Sequence, residues 1–277
     1  MMDGMKVEYR DPIDVYPKYC LDKDLPHYMQ PITMQVDQAA LDQWLTVHHA
    51  QANYTRLLRY YLSSTVLGLK QDDVLLDVGS GDAVYASLVG DRVSRVVLND
   101  LALEQHGLPS HVTVAEQNVF ELDIASYNIN KIVVGHAFEH FRGDDDIRLI
   151  RFISRALPVG GICCIEPVFM GHAYLEVYSY PTDEHYDVRA TPIVTKESKF
   201  PGRRDHHMGF ARIYDAQAFH ERVIQTAEAE GLECQLITFK LGEDYLPDME
   251  KYAFKRKQVN YPLRAFRMTK RKEGIHR

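Results

Sequence analysis

The chain has 277 residues, of which 45% are hydrophobic and 26% charged. That balance excludes an intrinsically disordered chain and allows one large α/β domain with a cap, or two small domains. The formal net charge of −7 argues against global attraction to nucleic acid or acidic membrane, and no stretch approaches the roughly 18 apolar residues needed to span a bilayer.

In chain order, residues 1–36 are rich in Pro, Asp and Tyr without a clear period, which predicts an irregular arm. The opening MMDGMKVEYRDP lacks the apolar core of a signal peptide. Over 37–66, Ala40, Trp44, Val47, Ala50, Tyr54, Leu57, Leu58 and Tyr61 recur at spacings of three and four. This is one helical face, with Asp37 as its N-cap. From residue 73 strands and helices alternate: VLLDV (74–78), a helix over 83–90, RVVLN (95–99), HVTVA (111–115), KIVVG (131–135), a helix over 144–157 and GICCIEP (161–167). Residues 168–213 interrupt the rhythm with a tyrosine- and histidine-rich insertion. A helix over 215–230, ended by Gly231, and strands over 233–240 and 262–270 complete the pattern. Alternation of this kind implies right-handed crossovers and a parallel sheet. The expected division is an arm and helical cap over 1–70 and an α/β domain over 71–277. The 1–70 segment suits either a cap over a site or a self-association surface, so a homo-oligomer stays open.

Charge and thiols add two expectations. From Lys251 onward the chain holds ten cations and one anion, Glu273, so this tail carries +9 and the remainder −16. A run like this is usually a solvated face. The cysteines Cys20, Cys163, Cys164 and Cys234 form no C-x-x-C pair, and three of them lie in apolar runs, as expected of reduced thiols in a cytoplasmic protein.

The most informative segment is LLDVGSGDAVYASL, where a strand ends, Gly79 and Gly81 follow, and a helix begins. Glycine lets the backbone turn sharply and approach a ligand. The third glycine of the dinucleotide fingerprint would fall at Val84, whose bulk opposes that fingerprint. Asp77 stands just before the bend; it would repel a pyrophosphate and attract a ligand bearing ammonium and sulfonium charge. G-K-[ST] is absent, which excludes a P-loop. Asp100 ends the next strand, where a carboxylate accepts ribose hydroxyls; the alternative is a turn or capping residue.

The run over 73–167 resembles the class I, Rossmann-like S-adenosylmethionine-dependent methyltransferases. LLDVGSGDA resembles their first motif, VVLND the second, QNVFEL the adenine-contacting segment, VVGHAFEHF the fourth and RALPVGGICCIEP the fifth, in family order. The resemblance implies a mostly parallel, seven-stranded sheet with an N-terminal helical cap and an insertion after the fifth strand. S-adenosyl-L-methionine is the implied cofactor. Asp77, Gly79, Ser80 and Gly81 would hold its methionine portion, with His136 beside them, Asp100 and Leu101 its ribose, and Asn118 and Val119 its adenine. Lys131 departs from the Asp that many members place at the start of the fourth strand, and a structural use is expected for it.

On the acceptor side, His136 and His140 lie four apart at the carboxyl end of the fourth strand, the edge where open α/β sheets bind ligands. His140 belongs to the E-H pair that recurs in the small-molecule branch, which makes it the candidate catalytic base, with His136 and His207 behind it. The alternative for each is a hydrogen bond to backbone. Arg203, Arg204, His206, His207, Arg212 and Tyr214 cluster late in the insertion, as residues able to grip a carbohydrate-like or anionic small molecule. The tyrosine-rich insertion and the H-x-G-x-x-R-x-Y-D-like run resemble glycan-modifying methyltransferases, which suggests O-methylation. No metal is expected, since H-E-x-x-H or a comparable spacing is missing, and no G-x-S-x-G elbow marks a hydrolase. The competing readings are an RNA or protein methyltransferase using the basic tail, and a cofactor-binding protein without catalysis.

Overall fold

The computed structural model describes residues 8–9, 20–81, 83–103, 108–178, 185–194, 209–246 and 262–272. In chain order the strands are β1 (Glu8–Tyr9), β2 (Ile32–Gln35), β3 (Val74–Val78), β4 (Arg95–Asp100), β5 (Val112–Glu116), β6 (Lys131–Gly135), β7 (Ile162–Glu166), β8 (Leu175–Tyr178), β9 (Thr191–Val194), β10 (Phe210–Ile213), β11 (Leu232–Leu241), β12 (Asp244–Tyr245) and β13 (Arg264–Lys270). The α-helices are α1 (Gln38–His48), α2 (Tyr54–Leu67), α3 (Val84–Val89) and α4 (Asp145–Ala156). A last helix, α5, joins Ala216–Phe219, a π-helical segment His220–Ile224, and Gln225–Ala229.

Nine strands form the main sheet, in the order β12-β11-β13-β7-β6-β3-β4-β5 with β2 also on β11. The pairs from β5 to β7 are parallel, while β13 runs antiparallel to both β7 and β11. The sheet is therefore mostly parallel, as expected, but wider than the seven strands expected. The two additions are β12, a two-residue return of β11, and β2, from the segment predicted to be an irregular arm. An edge strand this short, exposed at three of its four residues, carries almost no alternation to read.

Helices cover both faces because neighbouring strand residues point to opposite sides. Leu75, Val96 and Val133 pack with Leu57, Leu62 and Leu67 of α2. Their neighbours Leu76, Val97 and Ile132 pack with Leu149, Ile153, Phe219 and Val223 of α4 and α5. The predicted 37–66 helix is two helices. Asp37 caps the first by accepting from the Ala40 N–H at 3.1 Å, and Asn53 restarts the second by accepting from the Arg56 N–H, also at 3.1 Å. Lys131, buried at the start of β6, donates to the Leu67 carbonyl at 2.7 Å and lies 4.0 Å from Asp73, a structural use.

The insertion supplies three strands of a second, four-stranded sheet in the order β1-β9-β8-β10, and β1 comes from the segment predicted to be an irregular arm. A buried ionic network ties it to the main layer. Arg212, fully buried on β10, reaches Asp146 of α4 at 2.9 Å and Glu176 of β8 at 3.0 Å. Arg222, in the π-helical segment, grips Asp146 at 2.6 Å and Asp187 at 3.1 Å. Tyrosine hydroxyls fill further acceptor positions: Tyr214 on Asp146 at 2.7 Å, Tyr178 on Glu176 at 2.8 Å and Tyr174 on Asp187 at 3.1 Å. Arg212 and Tyr214, read from sequence as acceptor-gripping groups, are thus internal supports. Their guanidinium and hydroxyl are spent on buried carboxylates.

The network gives stability a pH dependence. Burial pushes the Asp146 carboxyl up, but the Arg222 hydrogen bonds and the Arg212 charge outweigh it and hold the group below its ordinary value. A folded-state value below the unfolded one stabilises fully above the unfolded value and stops doing so as pH falls through the folded one. Urea midpoints are expected to stay level from neutrality to about pH 5, then fall progressively below about pH 4. A midpoint unchanged down to about pH 2.5 would contradict this linkage.

Candidate active site

The carboxyl ends of β3, β4, β5, β6 and β7 all open on one edge of the sheet, because these strands are mutually parallel. At β3 the chain bends through Gly79, with φ 69°, and Gly81, with φ 61°. These left-handed conformations suit glycine. A Cβ on Gly79 would stand 2.5 Å from the Ala137 Cβ of the loop after β6, whereas one on Gly81 would meet nothing within 4 Å. The bend is therefore pressed against β6 on one side and has open space at Gly81. It is pinned to β4 as well: the Gly79 N–H donates to the Asn99 carbonyl at 2.8 Å and that of Ser80 at 3.1 Å.

Asp100 closes the bend. One carboxylate oxygen accepts from the Gly81 N–H at 2.9 Å, and the other from the N–H groups of Leu101 at 2.7 Å and Ala102 at 3.3 Å. Its turn-capping and loop-closing uses coexist. Leu101 is exposed. Asp77 is buried in β3, just below the bend. After β5, Asn118 is exposed and Val119 buried. The Asn118 side-chain oxygen accepts from the Phe120 N–H at 3.1 Å, so it caps the following turn. Asn99, which sequence reasoning missed, is buried and donates to the Ala115 and Gln117 carbonyls at 2.9 and 2.8 Å. It fixes the spacing between the ends of β4 and β5.

Beside this bend, His136, Glu139 and His140 come together. His136 sits at φ 52° and its N–H donates to the Glu166 carbonyl at the end of β7, 3.0 Å away. His140 Nδ1 lies 2.6 Å from the Phe210 carbonyl oxygen; a carbonyl only accepts, so Nδ1 carries the proton there. Between the rings stands buried Glu139, its Oε1 3.7 Å from His136 Nδ1 and 3.7 Å from His140 Nε2. Burial pushes the Glu139 carboxyl up, and the adjacent imidazoles more than offset that, leaving it below the ordinary value. Arg59 of α2 reaches the same corner, with Nη1 3.4 Å from His136 Nδ1 and Nε 3.9 Å from Glu166 Oε1. Neither Arg59 nor Glu166 was read from sequence as a site residue.

Arg203, Arg204, His206 and His207 lie outside the described residues, as does the 251–261 part of the basic tail. Three cations of the tail's described part serve the fold. Arg264 is buried on Asp22 at 2.6 Å, Lys270 donates to Ser154 Oγ at 2.7 Å, and Arg271 lies 3.5 Å from Glu233. The four cysteines are free thiols. Among the described residues no helix is long and apolar enough to cross a membrane.

No protein-family model matches the chain, and no curated protein does. Solved structures do match. A chain of the Haloferax volcanii complex between the Trm112 methyltransferase activator and a methyltransferase is 11% identical, with a TM-score of 0.50, over 86% of this chain and 99% of that one. An S-adenosylmethionine-dependent methyltransferase from Clostridium acetobutylicum is 14% identical, over 84% of this chain and 98% of its own, with a TM-score of 0.46. The 1,6-didemethyltoxoflavin-N1-methyltransferase of Burkholderia thailandensis, with bound 1,6-didemethyltoxoflavin and S-adenosylhomocysteine, is 15% identical, over 88% and 95% of the two chains, with a TM-score of 0.45. At these identities the likeness is one of fold: a Rossmann-like methyltransferase fold with a mostly parallel central sheet.

Proposed function

We propose that this protein transfers a methyl group from S-adenosylmethionine to a small-molecule acceptor, with a sugar or glycan hydroxyl as the acceptor group. The observation that carries this reading is the bend after β3, where Gly79 is pressed on Ala137 and the Gly81 N–H is held by Asp100. The residues there fit an adenosyl ligand. Asp77 and Asp100 give the bend negative charge that attracts a sulfonium and an ammonium. Asp100 retains lone pairs for ribose hydroxyls, Val119 offers an apolar contact for a purine, and Gly81 leaves space for the ligand backbone.

A bound sulfonium supplies an electrophilic methyl group. The chain's own work is to align a hydroxyl with it and to remove the hydroxyl proton. Because His140 Nδ1–H is committed to Phe210, the lone pair of the neutral ring lies on Nε2, and that atom takes the proton. Glu139, 3.7 Å from Nε2, then faces the imidazolium that results. Phe210, whose carbonyl holds His140 Nδ1, is itself buried against Tyr178 and Tyr186, so these rings fix the position of the base.

Calorimetric titration with S-adenosylhomocysteine tests the cofactor half. The wild type is expected to bind, and Asp100→Ala to bind about 10- to 100-fold more weakly, the loss of a charge-assisted hydrogen bond. A wild type that ignores adenosyl ligands, or takes a dinucleotide diphosphate in their place, sinks the reading. For the acceptor half, labelled methyl groups are expected in neutral saccharide fractions. Label recovered in RNA, with a steep salt dependence, would favour the basic-tail alternative.

A further inference from the structure

We infer that Glu139 and His140 together recognise two hydroxyl groups on adjacent carbons, so that the acceptor is a vicinal diol; this rests on the methyl-transfer reading of the site. One hydroxyl is methylated and the other is the handle. The first hydroxyl oxygen bonds to the methyl carbon, the carbon–sulfur bond breaks with its electron pair staying on sulfur, and the hydroxyl proton goes to His140 Nε2. The neighbouring hydroxyl donates a hydrogen bond to the Glu139 carboxylate and stays unreacted. Glu139 is thereby a residue that selects the acceptor, beyond facing the imidazolium that the transfer leaves.

Glu139 is recessed between two imidazoles: its side chain is 10% exposed, against 35% for His136 and 22% for His140. Its Oε2 is buried with no hydrogen-bond partner. Its Oε1 lies 3.7 Å from His140 Nε2. With the His140 proton on Nδ1 and held by Phe210, that Nε2 is a lone-pair atom and offers Glu139 no proton. A buried carboxylate oxygen without a donor is costly, and a ligand hydroxyl supplies one. The spacing fits a diol. Two acceptor atoms 3.7 Å apart suit hydroxyls on adjacent carbons, each about 2.7 Å from its own acceptor. The terminal torsion of a glutamate is broad, so either oxygen can turn to the second hydroxyl. A carboxylate accepting sugar hydroxyls is the same chemistry that Rossmann-type sheets use on ribose. A cationic amine would also complete the carboxylate. The Arg59 guanidinium, 3.4 Å from His136 Nδ1, already brings positive charge to this corner and opposes a second cation. The handle is therefore a neutral hydroxyl.

The test compares probes that differ in where the second hydroxyl stands. Cyclohexane-1,2-diol has its hydroxyls side by side; trans-cyclohexane-1,4-diol has the same two groups on opposite sides of the ring. Methyl transfer from S-adenosylmethionine by the wild type is expected to favour the 1,2-diol in kcat/KM by about 10- to 100-fold, the worth of a hydrogen bond to a charged group. Glu139→Met keeps the length and removes the acceptor, and should bring the ratio to within about twofold. Glu139→Gln keeps a neutral acceptor oxygen and should fall between. The ratio does not depend on how much of a variant is folded, so a loss shared equally by both probes, as a purely structural role for Glu139 predicts, overturns the assignment. So does a wild type that treats the two diols alike, methylates neither, or prefers 2-aminocyclohexanol, provided that it binds S-adenosylhomocysteine; the adenosyl reading then stands. A wild type that does not bind S-adenosylhomocysteine overturns both.

Discussion

Arg212→Met is expected to cost about 3–5 kcal/mol of folding stability, the usual penalty for breaking a buried ion pair from one side. The substitution keeps length and apolar bulk, so the loss would come from charge and hydrogen bonds. Arg212 sits at zero exposure between Asp146 and Glu176, which are equally buried, and it donates to the Gly143 carbonyl at 2.9 Å. With methionine in place, Arg222 still offsets Asp146, but Glu176 loses its guanidinium and is left with the Tyr178 hydroxyl at 2.8 Å, the Tyr186 N–H at 3.0 Å and the His185 ring at 3.9 Å. A Glu176→Gln change on that background should therefore restore part of the loss. Urea denaturation of the two single variants and the double variant measures this coupling. Losses that simply add, or a single variant within about 0.5 kcal/mol of wild type, would show that the network does not hold the small sheet in place.

The second large effect is expected at the glycine bend. Gly79→Ala meets two separable penalties. A left-handed backbone costs an L-residue about 1–2 kcal/mol, and a Cβ placed 2.5 Å from the Ala137 Cβ adds an overpacking cost of about 1–3 kcal/mol. Ala137 has no side-chain torsion with which to move aside, so the bend itself must shift, and the Gly81 N–H would move off Asp100. Ala137→Gly on the Gly79→Ala background removes the collision and leaves the handedness penalty. It should recover part of the stability and part of the S-adenosylhomocysteine affinity. A Gly79→Ala protein with wild-type melting and affinity would mean that the bend is looser than the contact with Ala137 implies.

What could be read in advance follows from where the information sits along the chain. VLLDV and KIVVG are legible as strands because both of their faces are buried, which leaves unbroken apolar runs between turn signals. The glycine bend and Asp100 are legible because their geometry is local: a strand end, two left-handed residues and an acid on the next strand. The long 37–66 helix misleads because apolar residues continue at helical spacing through a break that Asn53 marks only by its capping side chain. β2 is invisible because an exposed edge strand of four residues has no inward face to pattern. Arg212 and Tyr214 look like ligand-binding groups in sequence because their carboxylate partners lie far away in the chain; only the folded arrangement shows Asp146 and Glu176 beside them. Arg59 is missed for a related reason. Within LLRYYL it reads as the polar side of an amphipathic helix, whereas α2 turns it toward the carboxyl ends of β6 and β7.

The way the first residues are woven into the last has a kinetic consequence. Arg264 clasps Asp22 across 242 positions, Cys20 bonds to Met170 across 150, and β2 lies on β11. Closing such large loops comes late, because their entropy must be lost before the contacts form. During synthesis β2 waits unpaired until β11 leaves the ribosome. A nascent chain halted before β11 would hold the glycine bend assembled from local pieces, with β2 still unseated and vulnerable to proteases.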